Sequence, residues 1–172
     1  MRAGGSKAKG SSFERQVCEK LSLWVSGGKD RDLFWRSAMS GGRSTFAAKK
    51  GVKLSRQAGD ICGVAPEGHS LTNYFYIECK HLRTLRLELF ILEDKGPLAR
   101  FWKTAWKQAK QYGREPMMIV KGNHCPILVI TRVNVMSGQC VCMDREFGCE
   151  IRLFQQVLNN TYEPYDDHAR NR

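Results

Sequence analysis

The chain of 172 residues lacks any apolar run near the roughly 20 residues that span a bilayer, so no membrane-crossing helix is expected. Acidic residues are scarce: 17 Asp and Glu stand against 28 Lys and Arg, a formal charge of +11. They are missing altogether from Arg36 to Gly59, where Arg36, Arg43, Lys49, Lys50, Lys53 and Arg56 are set among serines and glycines. A surplus of this size favours a polyanionic partner through counterion release, and nucleic acid is the usual one. An anionic membrane surface or plain solubility are the alternatives. A disulfide framework is also missing. The seven cysteines are odd in number and irregularly spaced, which fits a reducing, cytoplasmic setting. The closest group, Cys140, Cys142 and Cys149 with His124-Cys125 upstream, is looser than the C-x₂-C pairs of structural zinc and reads as buried small hydrophobes. No internal repeat is present, and Met1 to Gly10 has no apolar stretch of the kind a secretory signal needs. Residues 1–10 read instead as a flexible basic arm.

What the chain does have is the material of an α/β domain over residues 11–158, followed by a polar tail over 159–172 that is expected to fray. Ser11-Ser12-Phe13-Glu14 has the form of a capping box, with Phe13, Val17, Leu21 and Trp24 following at helical spacing before Gly27-Gly28. Glu14 is then an N3 capping residue that also lies beside the buried stripe. Leu33 to Arg36 suits a first strand. Ile61 to Val64 and Tyr74 to Ile77 read as two more strands, paired as a hairpin about the turn residues Ala65-Pro66-Glu67-Gly68. Leu82 to Leu92 is open between strand and helix. Pro97 to Tyr112 is the clearest helix, with Leu98, Phe101, Trp102, Ala105, Trp106 and Ala109 on one side, Lys103, Lys107 and Lys110 on the other, and Gly113 at its end. Residues 116–120, 127–130 and 139–143 read as strands, and 151–158 as a last short helix.

The chemistry gathers around Asp60 and Glu78-Cys79-Lys80. Strand alternation puts Glu78 and Lys80 on one face and Cys79 on the other, and hairpin pairing brings Asp60 to the same end. Two carboxylates, an amine and the Cys79 backbone carbonyl make an oxygen-rich cage suited to Mg²⁺, or to Mn²⁺ with the same ligands. An exposed strand end with a surface ion pair is the plain alternative. Asp60…Glu78-Cys79-Lys80 resembles the signature of the PD-(D/E)XK nuclease superfamily. That resemblance implies a restriction-endonuclease-like αβββαβ core over about residues 11–120, a mixed central sheet flanked by helices, with 121–158 as an elaboration. It further implies that Asp60, Glu78 and the Cys79 carbonyl hold the metal and that Lys80 positions or activates water. Glu14 would be a first-helix catalytic accessory.

The order of elements and the basic Ser/Gly-rich loop resemble the Holliday-junction-resolvase branch, of archaeal or phage type, whose members act as homodimers. The implied activity is metal-dependent, structure-selective hydrolysis of DNA phosphodiesters, in the host cytoplasm if the chain is phage-encoded. Serines of the loop often take part in that branch, and Ser37, Ser40 and Ser44 are candidates here. Arg36, Ser40, Arg43, Lys49, Lys50, Lys53 and Arg56 would grip the DNA backbone. Gln108 and Tyr112 fit the Q-x-x-x-Y pattern of RecB-like members, and their i, i+4 spacing lets both contact DNA from one helix face. A RecB-like exonuclease or end-processing enzyme is therefore a second reading. A non-catalytic, basic nucleic-acid-binding protein is a third. The four histidines form no cluster that would serve a histidine-based nuclease.

Overall fold

The computed structural model describes residues 4–37, 58–136, 139–144 and 148–165. Helix α1 (Gly4–Val25) leads to the short strands β1 (Phe34–Arg36) and β2 (Ile61–Gly63), which pair antiparallel with Arg36 opposite Ile61. Helix α2 (Pro66–Tyr74) follows, then the long strand β3 (Phe75–Leu82), helices α3 (Leu87–Glu93) and α4 (Gly96–Gln111), and strand β4 (Glu115–Gly122). The chain closes with β5 (Leu128–Arg132), β6 (Cys142–Asp144), β7 (Cys149–Leu153) and α5 (Phe154–Asn159). The larger sheet runs β3-β4-β5-β7-β6, parallel between β3 and β4 and antiparallel elsewhere. This is the expected mixed sheet flanked by helices. No helix among the described residues is long and apolar enough to cross a membrane.

Side-chain alternation divides the core between the two faces of that sheet. Phe75, Ile77 and Cys79 of β3, with Met117 and Ile119 of β4, pack under Phe13, Val17 and Leu21 of α1. Met118, Val120, Ile130 and Ile151 pack on the other face against Phe90 of α3 and Leu98 and Trp102 of α4. The α3–α4 crossover is what allows β3 and β4 to run parallel.

Several expectations are corrected. The proposed hairpin does not exist: α2 lies between β2 and β3, and β2 pairs with β1. Pro66 and Glu67 are as well suited to the first turn of a helix as to a turn, because proline has the helical φ and the acid faces the positive end of the dipole. Leu71, Thr72 and Tyr74 are buried by α2, so Tyr74 ends a helix and does not start a strand. Helix α1 begins at Gly4, so residues 4–10 are helical and Glu14 is not an N3 cap. Lys7, Ala8 and Lys9 are good helix formers and carry the helix back past Ser11. Residues 151–153 belong to β7, where Ile151 is buried against β5 and the α4 face. The tail does not fray over its described part. Tyr162 packs edge-on to Trp24 at 4.9 Å, Tyr165 stacks on Tyr74 at 4.9 Å, and Trp24 Nε1 donates to the Asn160 carbonyl at 2.8 Å. Two tyrosines supply apolar surface that the tail's overall polarity conceals.

Candidate active site

Strand β3 is the end strand of its sheet, and residues 58–60 wrap around its outer edge. Asp60 N–H donates to the Ile77 carbonyl at 2.8 Å, and the Asp60 Oδ2 atom accepts the Cys79 N–H at 2.8 Å. Ala58 is buried with Tyr76 and Ala109 on the α4 side. Gly59 makes this closeness possible. Its φ is +87°, and a Cβ there would lie 2.5 Å from the Ile77 carbonyl oxygen, so any side chain collides with the strand. Asp60 therefore reaches Glu78 and Lys80, as expected, but by edge docking and not through a hairpin.

On the α4 side of β3, Lys80 Nζ is paired with Glu78 Oε1 and lies 3.8 Å from Asp60 Oδ2. Lys80 also sits 5.5 Å from the centre of the Phe101 ring. The two carboxylates thus share one ammonium in a largely buried place. Burial, then the neighbouring Glu78 charge, pushes the Asp60 carboxyl up to about 7, against the opposing pull of Lys80. For Lys80, burial acts to lower the pKa, but the Glu78 and Asp60 carboxylates outweigh it and the net shift is upward. Lys80 is therefore held as an ammonium.

Tyr76 completes this face. Its hydroxyl is 2.8 Å from Gln108 Oε1 and 3.4 Å from Glu78 Oε2, and its ring stacks on Tyr112 with centroids 6.0 Å apart. Burial and the Glu78 charge raise its pKa, so it stays a neutral phenol with one proton to donate. Gln108 and Tyr112 thus join the carboxylate cluster through Tyr76, which the sequence reading passed over. The signal was there: Tyr76, Glu78 and Lys80 alternate on one strand face.

Glu14 approaches from the α1 side. Arg36 Nε donates to Glu14 Oε2, which engages Arg36 with an acid and not with solvent alone. Ser37 follows Arg36, is buried, and its N–H donates to the Asp60 carbonyl at 2.8 Å. The Glu14 charge adds to the upward push on the Asp60 pKa. Ser40, Arg43, Ser44, Lys49, Lys50, Lys53 and Arg56 lie outside the described residues.

A family model described as "Phage putative PDDEXK endonuclease" matches residues 5–159. The chain belongs to that family. Neither a curated protein nor a solved structure matches it. Membership makes this a PD-(D/E)XK protein of phage type, in a family of endonucleases. The residue before Asp60 is glycine. Proline could not take its place, since its ring holds φ near −65° and Gly59 needs a positive φ.

The donor set can be tested against a metal ion. Among the described residues no three His, Cys, Asp or Glu side chains gather as a ready cage. Two carboxylates do meet at the edge of β3, hard oxygen donors with less positive charge beside them than they carry. Cys79 gives its N–H to Asp60, and in a strand the C=O of a residue leaves on the same side as its N–H, so that carbonyl faces the Asp60 edge too. This set suits Mg²⁺, which is commonly bound by one or two carboxylates and keeps several waters.

Proposed function

We propose that the chain is a divalent-metal-dependent DNA endonuclease with Asp60, Glu78, the Cys79 carbonyl and Lys80 at its centre, selective for branched DNA in the manner of a Holliday-junction resolvase. The observation that carries this reading is the meeting of Asp60, Glu78 and Lys80 at one edge of β3, in a chain of the PDDEXK family. Mg²⁺ or Mn²⁺ held there would act as a Lewis acid on the scissile phosphate and make a bound water more acidic. The protein's own groups do the rest. Asp60 is aimed by the Cys79 N–H, and Glu78 by Lys80. Lys80, held as an ammonium, orients the attacking water and offsets charge developing on the phosphate. Glu14, steadied by Arg36, is a positioning residue on the other side of Asp60. On this reading two copies act together and cut opposing strands of a junction.

A labelled panel of four-way junction, flap, linear duplex and single strand, each with Mg²⁺, Mn²⁺ or EDTA and beside Asp60→Asn, tests it. Paired symmetrical cuts in the junction, lost with EDTA and in the variant, are the expected result. Cleavage that persists in Asp60→Asn overturns the assignment. The link from Gln108 and Tyr112 through Tyr76 to Glu78 favours a second reading, a RecB-like nuclease acting from free ends. Laddering from DNA ends, absent on closed circles, would select it.

A further inference from the structure

The cationic side of α4 is not used by the site. From Gly96 to Arg114 the chain has five basic residues and no acidic one. Arg100, Lys103, Lys107 and Lys110 are spaced alternately three and four residues apart, so they form one row along the helix, and all four are exposed. Leu98, Trp102, Ala105 and Ala109 bury another side against the sheet. Gln108 belongs to a third direction, toward Tyr76 and the carboxylates. At 1.5 Å per residue the row from Arg100 to Lys110 is about 15 Å long.

We infer that this row is a docking track for the phosphate backbone of a duplex DNA arm flanking the cleaved strand. The inference rests on the reading above that the chain acts on DNA. A straight line of cations about 5 Å apart suits a stiff polyanion whose strands each carry a phosphate charge roughly every 3.4 Å of axis, so every cation has a phosphate within reach. Sequence-neutral binding of that kind requires no base contact. A single strand is a poorer fit. Proteins that hold unpaired strands interleave cations with open aromatic platforms. Among the described residues, the large aromatic beside this row is Trp106, which has the Arg132 guanidinium 5.9 Å from its ring centre, and Arg132 is itself tied to Glu115 at 3.1 Å. Because the row and Gln108 leave α4 in different directions, the DNA on the row is a different part of the substrate from the phosphate at Asp60.

The test is binding, measured by fluorescence anisotropy on the full chain without divalent metal. The combined variant Arg100→Gln, Lys107→Gln, Lys110→Gln keeps good helix formers at exposed positions. Affinity for blunt duplex should fall about tenfold near 0.1 M salt, and the slope of log K against log salt should shrink by about two to three. Single strand of the same length should lose less. The charge-preserving set Arg100→Lys, Lys107→Arg, Lys110→Arg should bind duplex like the parent. Unchanged duplex affinity in the glutamine variant overturns the track, as does an equal loss on single strand, or a loss seen only on phosphatidylserine vesicles. If the parent cuts DNA while the glutamine variant binds duplex normally, the track fails and the nuclease reading stands. If the variant loses duplex affinity but the parent never cuts with any metal, the reverse holds.

Discussion

Two strands of the same sheet carry an acid and a base two residues apart: Glu78 and Lys80 on β3, and Glu150 and Arg152 on β7. As sequence they are close variants of one pattern. In the fold they are opposites. β7 lies between β5 and β6, and the Arg152 and Glu150 side chains are 6% and 4% exposed. Arg152 Nη2 donates to the Met136 carbonyl at 2.8 Å, and Glu150 accepts from the Asn134 N–H, so the pair secures the connection after β5. β3 ends its sheet, and Lys80 and Glu78 are 25% and 17% exposed, with Asp60 beside them. An interior pair neutralises itself and does structural work. An edge pair joined by a second carboxylate keeps an unmet demand for positive charge and stays partly open to solvent.

That contrast can be broken at either end. The largest effect is expected at β3: Asp60→Asn or Lys80→Ala should lower DNA cleavage about 10³-fold or more, the scale of losing a positioned catalytic group, with DNA binding kept. Single-turnover assays beside anisotropy check both halves. At β7, Arg152→Ala should cost about 3–5 kcal/mol of stability by stranding the buried Glu150, read from urea denaturation. The protein that remains folded should cut at the parental rate. Replacing both members, Glu150→Leu with Arg152→Met, should recover most of that loss.

A smaller effect follows from protons. The Asp60 carboxyl of the metal-free protein is raised to about 7 from an ordinary 3.8, so the folded state binds its proton more tightly than the unfolded state. Stability therefore falls as pH rises from about 4 to about 7 and then levels off. Asp60→Asn has no such proton to lose and should be more stable than the parent at pH 8, with the gap closing below pH 4, in melts with EDTA. The smallest expected effect is at Gln108→Ala. Loss of one hydrogen bond to Tyr76 should slow cleavage about tenfold and leave duplex affinity nearly unchanged.

How much of this was readable in the sequence depends on the range of the interaction. The E-x-K face was readable because alternation along a strand is a local rule. Asp60 was joined to it correctly but by the wrong route, since nothing local distinguishes a hairpin from a chain that returns to a strand edge after pairing elsewhere. Pro66-Glu67-Gly68 serves a turn and a helix start equally well, and only the burial of Leu71 and Tyr74 decides between them. Residues 151–153 show the same limit: their strand state comes from the partners β5 and β6, which lie on either side. Tyr76 was overlooked because a tyrosine on a buried strand reads as core, and its hydroxyl partner, Gln108, is 32 residues away.

The outer edge of β3 has one more consequence. An eight-residue strand so rich in buried apolar side chains is, at a sheet margin, a template on which another chain could pair. Gly59 and Asp60 occupy that margin, taking the Ile77 carbonyl and the Cys79 N–H. The contact that brings Asp60 to Glu78 and Lys80 is thus also a guard against aggregation. A substitution that pries residue 59 off the strand would damage solubility together with activity.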